Sequence, residues 1–402
     1  MRDVRIMVGL FLTCVVVMFM CSCRRESKYY YLENGSSEID ADNDMIHINN
    51  HLAAHRNSLY FFQDMFDQSS RYLCYYDCDS DTGGILCGKP QCNHNSTSCN
   101  AYLGEGNKWG PVCYNNKIYW IADEEGKKTL YCCALDGSEH RKVFVFKDQE
   151  HFPTGNTFFT IHRGLLILSG GVDRVVDGVF KPRRTVLICP LEGNGKSEVI
   201  YEDDDQYFGV YIPIFVKDET LYYACCNSST EAEKKLLVYE FSLKDWSSEI
   251  VLEKKIQKEL FEFKMKGRFF CFSCVNDGNI YVFDKADVPS DMEILCDFNL
   301  ENKTEFGYIW INTELFTGYT LDSDGRIHIR IYDNIGTLIS DYYEDSGNDN
   351  LILSVIEGVH DQNLIIAFWD QEENIQTLVL YQMNALNALE RKEIYQHVLE
   401  TQ

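Results

Sequence analysis

An all-β propeller of about seven four-stranded blades, with six or eight as the neighbouring counts, is the fold the sequence predicts. Three observations carry this reading. Short apolar segments recur along the chain at strand length, and Asn, Asp and Gly fill the turns between them, residues that tolerate the positive φ of tight hairpins. The recurrence has a fixed period. Seven segments share one form, an apolar strand, a polar turn and a second strand, as in "RYLCYYDCDSDTGGILCG", "TLYCCALDGSEHRKVFVF" and "TVLICPLEGNGKSEVIYE". They start at Arg71, Thr129, Thr185, Leu236, Asn279, Arg326 and Thr377, which is 306 residues over six intervals, or 51 per repeat.

Each segment follows another two-strand pattern. "VCYNNKIYWIA" turns at Asn115-Asn116 and "FKMKGRFFCFSC" at Gly267, and "IFVKDETLYYACC" precedes the fourth segment. "ILSVIEGVHDQNLIIAFW" precedes the last segment. Four strands per unit with a period near 50 reads as a propeller. One four-stranded sheet cannot bury both of its faces, and radial stacking of several sheets does so. Aromatic residues make up 13% of the chain, with 25 Tyr and 24 Phe, a composition that suits strands. The first inner strand is expected at "MIHINN", from Met45. The chain is expected to end with the outer strand of the last blade, at "KEIYQHV".

The N-terminal segment has a different character. Arg2 and Arg5 precede a charge-free apolar run from Ile6 to Met20, about 15 residues where a membrane span needs about 20. This is the pattern of an export signal over residues 1–22. "MCSC" places Ser22 directly before Cys23 and resembles the lipobox of bacterial lipoproteins, departing from it at Met20 and Cys21. The resemblance implies a diacylglyceryl thioether on Cys23 and cleavage before it. Two acyl chains anchor stably where one is marginal. Residues 23–44 form a polar tether that spans about 25 Å as a coil, and residues 45–402 form the propeller, with a Cys/His insertion at 87–104. These features predict a protein exported and lipid-anchored at the outer face of the bacterial cell membrane.

Charge restricts the partners. The chain carries 37 basic and 62 acidic residues, a net −25. Nucleic acid is excluded, since binding it requires Lys and Arg to neutralise phosphates.

The insertion holds the most specific chemistry. In "LCGKPQCNHNSTSCNAY", Cys87, Cys92, His94 and Cys99 lie within thirteen residues. Three thiols and one imidazole are the donor set of a closed, structural Cys3His zinc site. The spacing is not that of a zinc ribbon or finger. A disulfide staple competes in an exported protein, with Cys74, Cys78 and Cys113 enlarging both options. A catalytic Cys-His pair lacks a visible oxyanion donor and orienting group. The stretch is similar to one in uncharacterised lipoproteins of anaerobic gut Firmicutes, on Cys87, Lys89, Pro90, Cys92, His94, Cys99 and Ala101. That resemblance implies no activity. It implies an anaerobic host, where thiols stay reduced and metal ligation gains over disulfides.

Other residues read more plainly. Cys132-Cys133, Cys189, Cys225-Cys226, Cys271, Cys274 and Cys296 stand among apolar strand residues and are expected to pack as small hydrophobes. The acidic runs at Asp79, Glu202 and Asp322 contain carboxylates of the kind Ca2+ binds, yet none completes a Ca2+ loop, so solvated turns are expected. Trp109, Trp120, Trp310 and Trp369 are either stacking platforms for sugars or peptides, or inter-blade core. The function these features predict is a surface binding or scaffolding module for an extracellular glycan, peptide or protein. The alternative is a propeller enzyme acting on extracellular glycan, which needs a pair of axial carboxylates. No catalytic residue is identifiable, and no cofactor beyond structural Zn2+ is implied.

Overall fold

The structure, a computed structural model, describes residues 52–398 apart from residues 64–71, 148–150 and a number of short connections between strands. The export segment, Cys23 and Met45–Asn50 lie outside the described residues. The described residues form seven four-stranded antiparallel sheets, arranged in a ring as a β-propeller. In chain order the sheets cover residues 52–85, 108–145, 157–204, 214–256, 260–297, 303–344 and 351–398, here blades 1 to 7. A two-stranded hairpin, Val175–Val176 with Val179–Phe180, extends from blade 3.

All seven segments read from the sequence are the third and fourth strands of a blade. In blade 2 they are Lys127–Ala134 and Arg141–Val145, and in blade 7 Ile375–Met383 and Leu389–Val398. Asn115 and Asn116 both take positive φ, 48° and 56°, as the tight turn between the first two strands of blade 2 requires. Gly267 lies outside the described residues. The first inner strand differs from expectation. Blade 1 builds its inner strand from Leu52–His55, so its four strands run consecutively over residues 52–85.

Alternation explains why the second strands look continuously apolar. Successive side chains point to opposite faces of a strand, and here both faces are buried between blades. In blade 1, Leu59 and Phe61 pack toward blade 7, while Tyr60 and Phe62 pack toward blade 2. In blade 2, Ile118, Trp120 and Ala122 face blade 1, and Tyr119 and Ile121 face blade 3. In blade 3, Leu166 and Leu168 face blade 2, and Leu165 and Ile167 face blade 4. Blade 7 divides the same way, Ile366 and Phe368 toward blade 6 and Ile365 and Ala367 toward blade 1. The blade 7–blade 1 core closes the ring. Asp81 of blade 1 pairs with Lys392 of blade 7 at 2.8 Å, and the Cys74 thiol donates to the Tyr395 hydroxyl at 3.6 Å.

Five of the turns between third and fourth strands, in blades 1, 2, 4, 6 and 7, share one device. A side-chain oxygen at the start of the turn accepts backbone N–H groups two to four residues on. Asp77 accepts from Asp79 and Ser80, Asp136 from Ser138, Asp245 from Ser247, Asp333 from Ile335 and Thr337, and Asn384 from Ala388. The Ser138 and Ser247 hydroxyls at Asp136 and Asp245, and backbone N–H groups at Asp77 and, against burial, at Asp333, hold these carboxyls below the usual carboxylate range.

Candidate metal centre

The connection from blade 1 to blade 2 leaves the outer strand Thr82–Ile85 and reaches the next inner strand at Lys108. Its outgoing limb starts Leu86-Cys87. Its returning limb runs Cys99 to Leu103. Both limbs are tied to one residue of blade 1: the Leu73 carbonyl accepts from the Leu86 N–H at 2.9 Å, and the Leu73 N–H donates to the Ala101 carbonyl at 2.9 Å. Tyr72 and Tyr102 add a β-bridge, with their rings edge-to-face at 5.7 Å. Leu86 and Leu103 enter the blade 1–blade 2 core, and Ala101 is fully buried.

Between the limbs the chain closes on itself. The Cys92 N–H donates to the Lys89 carbonyl, and the Cys99 N–H to the Ser96 carbonyl. The Lys89 ammonium donates to the Ser98 carbonyl, linking the two halves of the loop. His94 takes a positive φ of 53°, which helps reverse the chain between Cys92 and Cys99. The result brings the four residues singled out in the sequence together. The thiols of Cys87, Cys92 and Cys99 and a ring nitrogen of His94 all lie within 4.8 Å of one another. His94 Nδ1 is 3.4 Å from Cys99 Sγ.

This Cys3His group could hold a metal ion. A tetrahedral site with metal–sulfur bonds of about 2.3 Å has donor–donor edges of about 3.5–3.8 Å. The donors observed need to move by about 1 Å at most to reach them. All three cysteines are free thiols. Cys99 is buried, while Cys87, Cys92 and His94 are half-buried, so an ion can enter from solvent. Burial pushes the Cys99 thiol up to about 12, with the neighbouring thiols of Cys87 and Cys92 adding to the effect. Burial acts against the Cys87 thiolate too. Backbone N–H groups of Lys89 and Asn100 and the adjacent thiols outweigh it, bringing Cys87 down to about 7. Of these two thiols the surroundings favour the thiolate at Cys87, and the thiolate is the form that binds a metal.

The remaining candidates fall elsewhere. Cys74, Cys113, Cys132, Cys133, Cys189, Cys225 and Cys271 are buried free thiols on strands, as expected of small core residues. Cys78 is a half-buried free thiol packed beside the blade 7–blade 1 core. Trp109 and Trp120 are buried between blades, which removes them as stacking platforms. Trp369 is half-buried and donates to Asn374 at 3.3 Å, and the Trp310 side chain lies outside the described residues. Asp79 and Asp81 belong to a capped turn, with Asn57 donating to Asp79 and Tyr76 to Asp81. Glu202 pairs with Arg183 and His151, and Asp203 with Arg184. The run after Asp322 is outside the described residues.

Sequence reasoning missed a second element of this region. Gly137, in the third-to-fourth-strand turn of blade 2, sits at φ 75°, and a Cβ there would meet the Leu86 carbonyl oxygen at 2.3 Å. Blade 3 repeats the arrangement. Gly195 sits at φ 80°, a Cβ would meet the Val145 carbonyl at 2.1 Å, and the Lys147 N–H donates to Gly195 at 2.8 Å. In both cases the outer edge of one blade seats on a glycine turn of the next. The signal was in the sequence as "LDGS" and "EGNG", but the partner carbonyl is distant along the chain.

The ring and its repeated sheets define a β-propeller protein. Solved structures agree at the level of fold. One is a prolyl endopeptidase, 10% identical, with a TM-score of 0.56 over 87% of this chain and 50% of the other. Another is a post-proline cleaving enzyme from Rickettsia typhi, 10% identical, TM-score 0.53, covering 90% of this chain and 54% of the other. The β-propeller domain of the Trilobed protease from Pyrococcus furiosus is 9% identical with a TM-score of 0.51, over 87% of this chain and 97% of that domain. The chain spans about half the length of the two full peptidases. No family model matches the sequence, and no curated protein does.

Proposed function

We propose that this protein is a surface-displayed binding or scaffolding propeller. It is exported, held at the outer face of the bacterial cell membrane by a diacylglyceryl group on Cys23, and presents its loops to an extracellular glycan, peptide or protein. One of those loops is shaped by a structural Zn2+ on Cys87, Cys92, His94 and Cys99. The observation that carries the reading is the convergence of these four donors. Four protein ligands fill a tetrahedral ion, so no position is left for a substrate. Such a site orders a surface and does not turn substrate over. Three sulfurs and one imidazole favour Zn2+ over hard cations, which prefer oxygen. The peptidases of similar fold support the propeller as a module, and their activity belongs to longer chains.

Metal analysis of protein purified under reducing conditions tests the zinc assignment, with about one equivalent expected from a single closed site. Metal-free protein with Cys87, Cys92 and Cys99 oxidised would sink it. Membrane fractionation tests the anchor: Cys23→Ala is expected to move the protein to the soluble fraction, and retention in the membrane would overturn that part.

A further inference from the structure

The metal centre and the blade 1–blade 2 seam share their backbone. Cys87 follows Leu86, whose N–H bonds to Leu73 and whose carbonyl faces Gly137 of blade 2. Cys99 precedes Ala101 by two residues, and the Ala101 carbonyl accepts from the Leu73 N–H. Leu73 thus holds the two limbs together from below, and an ion on Cys87 and Cys99 would hold the same two limbs from above. Between those ligands the loop "GKPQCNHNSTS" has no Leu, Ile, Val, Met, Phe, Tyr or Trp. It cannot order itself by burial, while Leu86, Ala101 and Leu103 at its ends are buried.

We propose that metal binding and the docking of blade 1 on the Gly137 turn of blade 2 form one coupled unit. An ion at the Cys3His group stabilises the seam between the first two blades, and a well-seated seam tightens the ion. This rests on the zinc assignment above and adds to it a role in ring assembly. Coupling of this kind is reciprocal, so a change at the seam must alter metal affinity by the factor with which the metal alters the seam. Gly137 provides the probe, because neither its own atoms nor its turn contribute a ligand. Any Cβ there pushes on the Leu86 carbonyl, one residue from Cys87. Gly195 provides the control. It has the same left-handed backbone and the same kind of clash, at Val145 of the next seam.

The test is zinc competition against a chromophoric chelator on the full protein and on Gly137→Ala and Gly195→Ala. Gly137→Ala is expected to weaken zinc binding by about tenfold, within the usual range of coupling between sites. Gly195→Ala is expected to leave it unchanged. Wild-type zinc affinity in a folded Gly137→Ala protein would overturn the coupling and leave the zinc site standing, as would equal weakening in both variants. Failure of the wild-type protein to bind zinc would refute the zinc assignment itself. Should Gly137→Ala not fold, amide hydrogen exchange on the wild-type chain decides. Added Zn2+ is expected to slow exchange at Leu73 and Leu86 as well as at Cys99 and Tyr102. Slowing confined to residues 87–99 would reject the proposal.

Discussion

Two successive seams of the ring solve the same problem with different materials. Blade 1 passes to blade 2, and blade 2 to blade 3, by an outer edge seated on a glycine turn, at Gly137 and Gly195. The connections that follow differ. After blade 2 the connection is residues 146–156, and of its described residues Phe146 and Phe152 are buried in the blade 2–blade 3 core. Their rings are 4.7 Å apart, Phe146 stands 5.1 Å from Phe144, and Phe152 lies 6.4 Å from Trp109. After blade 1 the chain takes residues 86–107, twice as many, and the middle of the crossing is polar. There Cys87, Cys92, His94 and Cys99 stand where the other crossing has aromatic rings. A loop that cannot bury apolar area needs another source of order, and ligand bonds to a metal are one that acts through a few polar residues.

The comparison breaks most visibly if removal of the proposed zinc changes one crossing and not the other. Structural zinc contributes on the order of 10 kcal/mol or more of binding free energy in small peptide sites, and part of that becomes ordering of the loop. A chelator is expected to open residues 88–98 to limited proteolysis, with cleavage mapped by mass spectrometry, while cleavage beside Phe146 and Phe152 is unchanged. Cys99→Ser is expected to do the same without a chelator. Equal resistance of both crossings after verified zinc removal would show that the first loop is ordered by something else.

The reciprocal experiment is smaller and sits in the second seam. Phe152 is 1% exposed. Truncating a fully buried phenylalanine costs about 3–5 kcal/mol through lost transfer free energy and the cavity left behind. Phe152→Ala is therefore expected to lower the unfolding free energy measured by chemical denaturation by an amount in that range, with zinc content unchanged. A loss below about 1 kcal/mol would mean that the aromatic cluster is not what orders this crossing.

How much of this was legible in the sequence follows from what is local. The seven strand–turn–strand segments could be read because each hairpin pairs neighbours in the chain and announces its turn, as Asp136-Gly137 does in blade 2. The donor set of the metal centre was readable for the same reason, since all four residues lie within thirteen positions. The choice between metal and disulfide was not readable, because it depends on how the thiols converge. The first inner strand was misplaced toward Met45. "LAAH" is four residues long with two alanines, a weak pattern beside "MIHINN". Those alanines are nonetheless buried, Ala53 toward blade 2 and Ala54 toward blade 7. The seating of Leu86 on Gly137 was invisible because it joins residues 51 positions apart, one repeat period.

The last contrast is in acid. Zinc ligands must be deprotonated to bind, so zinc affinity falls as pH falls, first through proton competition for the thiolates. The capped turns behave differently. Asp77, Asp136, Asp245 and Asp333 are held below the ordinary carboxylate value by hydrogen bonds within their turns. A carboxyl whose folded pKa is depressed contributes stability that is complete above its unfolded pKa and is lost only as pH falls through the folded one. Acidification is thus expected to release zinc and loosen the first seam at a higher pH than opens the turns, which stay intact until below about pH 4. Hydrogen exchange at Leu73 and at Ser247, followed with pH after correction for intrinsic rates, separates the two events. Blade 7 already has Asn384 in the capping position, where an amide oxygen accepts from Ala388 without a titrating group. Asp333→Asn is accordingly expected to keep the blade 6 turn, to change stability little at neutral pH and to flatten that turn's acid response. A marked loss of stability at neutral pH would show that the negative charge, and not the hydrogen-bond geometry, is what the turn uses.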